Sequence, residues 1–285
     1  MIPRINAKAL TDPSHPGHAA ALGAVKSAAE DVGFMTIHTP PIPADEVRQV
    51  IETYRGFFHL PAATKAEIDM GKTGSNRGWG GPGSEQVDPT ANPDYKQVFD
   101  CGFELDAADP FASLRYYAPN QWPAEPAGFA ATIRAYYAHA CGFALQLLRG
   151  VATAIGERPD YFDDKFDRPM ALLRGNFYPT RPADAGDRDF GIATHTDYGC
   201  LTLLATDGSP GLEVRKRGGG WIPVAAPPGE FVINFGEMLE MWTGGRVVAT
   251  PHRVQGTPHE RISVPLFFNP NHDTNVAPIG SGKVM

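Results

Sequence analysis

His195, Thr196 and Asp197 put an imidazole and a carboxylate two positions apart, ahead of Tyr198-Gly199 and at the edge of an apolar run. In an extended segment residues i and i+2 point to the same face, so both side chains can reach one metal ion while Thr196 turns away. A second histidine would complete a facial triad of two imidazoles and one carboxylate. That is the ligand set of non-haem Fe(II) oxygenases, and it leaves adjacent coordination positions open. The triplet does not decide the matter alone, because with 9 histidines in 285 residues chance supplies about 0.6 such triplets per chain of this composition. The same residues serve equally as a hydrogen-bonded histidine at a strand end and an aspartate capping a turn ahead of Gly199.

If His195 and Asp197 are ligands, the other histidine belongs on a later strand folded back beside the first. His252 has that place, directly after the strand-like run Val247-Val248-Ala249-Thr250-Pro251. His259 and His272 lie in polar, turn-like stretches and His139 within a long helical pattern. His15, His18, His38 and His59 have no carboxylate at ligand spacing. Beyond His252 comes Arg261-Ile262-Ser263, with Arg and Ser on one face of a strand. A guanidinium binds a carboxylate bidentately and a neighbouring hydroxyl adds a third hydrogen bond, which would anchor the far end of a dicarboxylate. Chance gives His followed nine positions later by Arg-x-Ser only about 0.015 times per chain, so this half of the pattern is the more specific. The competing reading is a surface arginine on an edge strand.

The rest of the chain must position these groups. A net charge of −7 argues against a nucleic-acid or anionic-membrane surface, both of which need concentrated positive charge. The basic cluster Arg215-Lys216-Arg217 runs into three glycines and Trp221, which predicts a solvated hairpin tip. Three cysteines without a Cys-x-x-Cys indicate neither a disulfide framework nor a thiolate zinc site. The amino terminus lacks the apolar core of a signal peptide, so a cytoplasmic protein is expected. Helices are predicted over 19–32, with Gly33 as the stop, from Val47 to Phe58, and from about Pro126 to Ile155. Gly71-Lys72-Thr73 mimics the end of a phosphate-binding loop but lacks the strand before it and the helix after it. From Met170 the pattern becomes short apolar runs: 170–178, 192–205, 212–214, 221–224, 231–235, 247–250 and 262–268. Strands at this density predict a jelly roll, and with the helices outside it an α+β protein. One domain over 1–285 is expected, with a helical part over 1–120 and a jelly-roll core over 170–270.

His195-x-Asp197, His252 and Arg261-x-Ser263, in this order and spacing, resemble the iron(II)- and 2-oxoglutarate-dependent oxygenases of the branch that includes isopenicillin N synthase and the plant 2-oxoglutarate dioxygenases. The resemblance covers nearly the whole chain. It extends to Glu30 through Ile37, to Phe57-Phe58-His59-Leu60-Pro61 with Lys65, to Asn76-Arg77-Gly78-Trp79, and to Asp94 through Asp100. Asn176-Phe177-Tyr178-Pro179 and Asn234-Phe235-Gly236 also match.

The resemblance implies a cupin-like double-stranded β-helix holding Fe(II) through His195, Asp197 and His252. It implies 2-oxoglutarate as co-substrate, its distal carboxylate on Arg261 and Ser263 with help from Tyr178, and Asn176 near the keto-acid end. With O2 the family forms succinate and CO2 and oxidises a small organic substrate, by hydroxylation or by desaturation or ring closure. Halogenating relatives replace the carboxylate ligand, so Asp197 points away from halogenation. From their motif positions Arg77, Trp79, Phe99, Arg174 and Phe268 are candidate cavity residues, and Arg77 would suit a carboxylate-bearing substrate. The partners expected are small molecules alone, without nucleic acid or membrane, and no oligomeric state is implied. Two departures stand out: Gly236-Glu237 replaces the family's usual Gly-Asp, and the carboxy-terminal helix that usually follows the region of Val276 to Met285 is missing, which implies a shortened chain or closure of the site by a partner subunit. Alternatives are an iron oxidase of the same branch that does not use 2-oxoglutarate, a zinc hydrolase with the same three ligands, and a non-catalytic jelly-roll binding module.

Overall fold

Glycine and proline punctuate the amino-terminal half, and the helices form between them. The computed structural model describes residues 1–90, 92–181, 183, 186 and 190–281; of the end region 276–285, residues 282–285 thus lie outside the described residues. Helix α1 (Ala7–Thr11) starts beneath Asn6, whose side chain accepts the Lys8 and Ala9 N–H groups, and α2 (His18–Ser27) follows. The helix expected to reach Val32 widens over Ala28–Val32 into a π turn, which Gly33 stops at φ 73°. Only glycine suits this position, because a Cβ would also lie 2.3 Å from Thr250 Oγ1. Helix α3 (Ala44–Phe58) carries Asp45 and Glu46 in its first turn and Arg55 in its last, matching the helix dipole at both ends. Single turns α4 (Ala62–Lys65) and α5 (Met70–Thr73) come next. Gly71-Lys72-Thr73 lies inside α5, with Lys72 Nζ on the Ala66 carbonyl, so nothing there forms a phosphate cradle. The long α6 (Phe129–Ala154) lies within its predicted limits, and α7 (Glu237–Trp242) is a short helix that the hydrophobic pattern does not single out.

The strands are β1 (Arg4–Asn6), β2 (Phe34–His38), β3 (Gly78–Gly80), β4 (Gln97–Gly102), β5 (Leu172–Tyr178), β6 (Ile192–His195), β7 (Leu201–Thr206), β8 (Leu212–Arg215), β9 (Trp221–Pro223), β10 (Phe231–Phe235), β11 (His252–Val254) and β12 (Arg261–Phe268). They form two facing sheets, in the orders β1-β2-β10-β7-β12-β5-β4-β3 and β6-β11-β8-β9. This is the jelly roll of an α+β protein. The basic cluster at 215–217 does sit at the β8–β9 turn.

Strand alternation divides the large sheet into two buried faces. One face of β12 presents Ile262, Val264, Leu266 and Phe268 to a core that also contains Val50, Tyr54 and Phe57 of α3 and Ile133, Phe143 and Leu147 of α6. The opposite face presents Arg261, Ser263, Pro265 and Phe267 to a cavity between the sheets. Strand β5 divides in the same way, with Leu173 and Phe177 in the helix-side core and Leu172, Arg174, Asn176 and Tyr178 lining the cavity. A second apolar cluster, including Phe34, Tyr178, Leu204, Leu212, Val214, Val232 and Val254, lies between the sheets and lines part of the same cavity.

Two expected strands come out differently. The run 192–205 is β6 and β7 in different sheets, because the chain turns at 196–200. The Asp197 and Tyr198 carbonyls there accept the Glu237 and Met238 N–H groups of α7 and not those of a strand partner. The run 247–250 is not a strand. Val248 N–H bonds the Ala29 carbonyl and Thr250 Oγ1 the Val32 carbonyl, which ties this segment to the π turn, and the strand begins at His252 itself. Among the described residues no helix is long and apolar enough to cross a membrane.

Gly175 is where α3 rests on the sheet: a Cβ there would stand 2.4 Å from the fully buried Tyr54 ring. Gly175→Ala is therefore expected to destabilise the fold by ~1–3 kcal/mol through overpacking, read as a lower midpoint in thermal or urea unfolding.

Candidate metal centre and cavity

His195 ends β6 and His252 begins β11, and the antiparallel register sets the two directly opposite. Their ring centroids are 4.3 Å apart. Each ring is oriented through Nδ1, which lies 2.8 Å from the Ala193 carbonyl in His195 and 3.2 Å from the Thr250 carbonyl in His252. A carbonyl only accepts, so Nδ1 carries the proton and Nε2 keeps its lone pair. The Ala193 peptide is itself fixed, since its N–H donates to Asp94 Oδ1 at 3.3 Å.

Asp197 comes from the turn after β6 and not from the strand. Its Oδ2 accepts Thr202 Oγ1 at 2.5 Å and Asn234 Nδ2 at 2.7 Å, while Oδ1 lies 3.7 Å from Nε2 of both histidines. The three side chains offer ligand atoms all within 4.8 Å of one another. Burial pushes the His252 imidazole down to about 4, which outweighs the attraction of Asp197, so that ring is neutral at neutral pH. Burial works against ionised Asp197, but the facing His252 and the two donors on Oδ2 hold its carboxyl below the ordinary value. Two imidazoles and one carboxylate on one side of a cavity suit Fe(II) and leave adjacent positions open.

Beside this cluster, strands β5 and β12 contribute two cross-strand pairs, Tyr178 with Arg261 and Asn176 with Ser263. The Arg261 guanidinium lies 5.0 Å over the Tyr178 ring, and Asn176 Nδ2 reaches Ser263 Oγ at 3.5 Å. Arg261 is 2% exposed, yet its Nε and one terminal nitrogen have no hydrogen-bond partner, and neither has Asn176 Oδ1. A buried donor left unpaired costs ~1–3 kcal/mol, more when charged. A carboxylate is the group that would satisfy that guanidinium. The cavity, about 630 Å³, contains all seven of these residues, a volume suited to a small ligand.

Of the candidate substrate residues, Arg174 lines this cavity. The other four are buried elsewhere, because the strand alternation or a loop turns them away from the cavity. Arg77 is buried with a terminal nitrogen 2.6 Å from the Tyr116 carbonyl, and its guanidinium occupies the space a Cβ on Gly102 would need. It is therefore no anchor for a substrate carboxylate. Trp79 bonds Gln97 through Nε1 at 3.1 Å. Phe99 packs among Tyr54, Phe57 and Phe129, and Phe268 stacks on Phe166.

Among the cavity residues that escaped the sequence reading are Thr202, Asn234, Glu85 and Lys96. Asn234 and Lys96 stood within recognised motifs, so a signal existed, although not for their roles. Thr202 could have been found as the alternate, inward position on an apolar strand. Glu85 lies in an irregular segment and had no signal. Its carboxylate bonds Arg174 at 2.8 Å and 2.9 Å and Lys96 at 2.8 Å. Burial opposes its charge, but these two cations pull its pKa down to about 2.

Comparison with known proteins agrees with this geometry. Residues 2–125 match the model for the non-haem dioxygenase in morphine synthesis N-terminal region, and residues 169–270 that of the 2OG-Fe(II) oxygenase superfamily. The chain is 32% identical to a homoarginine-6-hydroxylase of Arabidopsis thaliana over 88% of its own length and 77% of that protein's. It is 31% identical to the 2-oxoglutarate-dependent dioxygenase traH of Penicillium crustosum, over 87% and 78% of the two lengths. Among solved structures, a full-length Neurospora crassa protein in complex with alpha-KG and thymine superposes with a TM-score of 0.85 at 27% identity, covering 100% of this chain and 90% of that one. A putative 2OG-Fe(II) oxygenase family protein of Caulobacter crescentus gives 0.84 at 28% identity, covering 98% and 89%.

Thr202→Val removes one of the two donors that orient Asp197 Oδ2 and leaves Asn234 alone to hold it. Affinity for Fe(II), or for Co(II) as a stable substitute, is expected to fall by about 10–100-fold, measured by calorimetric titration of the metal-free protein.

Proposed function

Because the chain belongs to the iron(II)- and 2-oxoglutarate-dependent oxygenases, in the isopenicillin N synthase-like branch, we propose that it hydroxylates a small organic substrate in the cavity between its two sheets. It is an oxidoreductase that requires Fe(II), 2-oxoglutarate and O2. That requirement sets aside the zinc hydrolase, the iron oxidase independent of 2-oxoglutarate and the non-catalytic module. Hydroxylation, in preference to desaturation or ring closure, is supported by the homoarginine-6-hydroxylases among the relatives.

In this reading His195, Asp197 and His252 hold the iron, which supplies the redox chemistry of oxygen activation when bound. The residues around it bind and orient. Arg261 takes the distal carboxylate of 2-oxoglutarate through its unpaired nitrogens, Ser263 adds a hydroxyl, and the Tyr178 ring packs against the guanidinium. Asn176, two residues along the same face of β5, lies toward the keto-acid end. Thr202 and Asn234 keep Asp197 turned so that one oxygen faces the metal. Apolar walls, among them Phe34, Leu204, Leu212 and Val254, limit water around the reacting atoms. The observation that carries the reading is the buried guanidinium of Arg261 with unmatched donors, in the same cavity as the histidine-aspartate cluster.

We take residues 1–285 as one catalytic unit, in which 1–120 is not helical alone but also supplies β1 to β4 at the two edges of the large sheet, and 170–270 forms the jelly-roll core. One continuous apolar core joins helices from the first part to strands of the second. A cytoplasmic setting belongs to the same reading and is supported by three unbonded thiols, Cys101, Cys141 and Cys200. Its partners in this reading are small molecules, without a nucleic-acid or membrane surface, consistent with the net charge of −7.

Purified protein supplied with Fe(II), O2 and 2-oxoglutarate should form succinate even without substrate. Asp197→Ala should abolish this. Arg261→Ala should weaken 2-oxoglutarate binding by ~2–5 kcal/mol, which is on the order of 30-fold or more in its KM. Equal succinate formation by the wild type and both variants would overturn the reading.

A further inference from the structure

We infer that Glu85 is the substrate-recognition residue of this cavity and that the group it recognises is cationic, an ammonium or a guanidinium. The inference rests on the oxygenase reading above and adds the chemical class of the substrate to it.

Along the β4 side of the cavity, on the rungs next to Tyr178 and Asn176, five charged side chains are linked by ion pairs, of which Glu85, Lys96 and Arg174 line the cavity. Arg174 donates through Nε and a terminal nitrogen to both oxygens of Asp100, at 2.8 Å and 2.7 Å, and also to Glu85. Lys96 Nζ donates to Asp94 and to Glu85, both at 2.8 Å. Each cation thus already has a carboxylate of its own, in Asp100 and Asp94, and Glu85 is a third carboxylate shared between them. The group carries three negative charges and two positive ones. Side chains of Asp94, Lys96 and Asp100 are 1%, 1% and 4% exposed, whereas Glu85 is 29% exposed and faces the cavity.

An ionised carboxylate has about four acceptor positions, and Arg174 and Lys96 occupy three of those on Glu85. One position remains, beside an uncompensated negative charge. Fe(II) with Asp197, Arg261 and a 2-oxoglutarate dianion sums to zero, so the loaded cavity keeps the single negative charge of this group. A cationic substrate cancels it, a neutral one leaves it, and an anionic one doubles it in a site of low dielectric. Arg174 does not offset this preference, since Asp100 and Glu85 engage it on both edges. Leu172 and Phe267, the next rung of the β5–β12 pair beyond Arg174, give the substrate body an apolar wall.

The test uses the Fe(II)- and 2-oxoglutarate-loaded enzyme without oxygen, titrated calorimetrically with matched probes. One series is 4-phenylbutylamine, 4-phenylbutanol and 4-phenylbutyrate. The second pairs L-homoarginine with L-homocitrulline, which replaces the guanidinium by a neutral urea. The cationic member of each series is expected to bind at least tenfold more tightly than its neutral and acidic counterparts, and Glu85→Gln is expected to erase that difference. Absence of a cation preference in the wild type, or a preference that survives in Glu85→Gln, overturns the inference. Succinate formed by the same wild-type preparation with O2 and no probe reports separately on the oxygenase reading, so the two can fail independently.

Discussion

The antiparallel register of β6 and β11 is the constraint on which the proposed iron site depends. Directly opposed residues in such a pair have Cβ atoms about 4.5–5.5 Å apart, so His195 and His252 can turn their Nε2 atoms to one point, and the ladder shifts register only beyond them, between His252 and Val254. The same register denies the third ligand a place on that rung. The chain leaves the sheet after His195 and turns, and the turn brings Asp197 round to the histidines. Backbone bonds from Glu237 and Met238 hold the turn, as does Asn269 Oδ1 on the Cys200 N–H. Gly199 permits this closeness: a Cβ there would stand 1.9 Å from Asn269 Oδ1.

The second requirement is a large sheet buried on both faces. Helices α2, α3 and α6 cover one face with apolar side chains, leaving the other free to carry polar groups in a space screened from bulk water. Within β5 and β12 the alternation is strict, so one strand pair supplies both the wall of the main core and the polar row of the cavity. Polar groups in that row are costly unless satisfied. Their donors and acceptors are matched where the fold alone must be stable, as at Arg174 with Asp100, and unmatched at Arg261, where a ligand is proposed to complete them.

Residue types and spacing made His195, Asp197 and His252 legible, although Asp197 reaches the cluster from a turn and not by strand alternation. They meet, as do Arg261, Ser263, Tyr178 and Asn176, of which the last two were expected from the family resemblance alone. Strand limits near the site were less legible. The run 192–205 is apolar enough for one strand, and only the tertiary bonds from α7 divide it; the run 247–250 is strand-like in composition, but the π turn takes its hydrogen bonds. Substrate-side residues were the least legible. Which face of β4 Phe99 occupies depends on pairing register, and the direction of Arg77 depends on a loop contact with the Tyr116 carbonyl. Glu85 has no periodic context, and its partners are 11 and 89 positions away along the chain.

Arg261 and Glu85, both lining the cavity, differ in electrostatic demand, and that difference orients the proposed ligands. At Arg261 a guanidinium lacks acceptors; around Glu85 the cations Arg174 and Lys96 already have carboxylates of their own. A dianion such as 2-oxoglutarate is attracted to the first end and repelled by Glu85 and Asp197 everywhere else, so it enters with its distal carboxylate toward Arg261 and its other end toward the metal. A cation in the same space is driven the opposite way, away from Arg261 and onto Glu85. Arg261 and Glu85 thereby offer two proposed ligands of opposite charge separate anchors in one cavity. The separation is steepest where water is excluded, since a low dielectric strengthens attraction and repulsion alike.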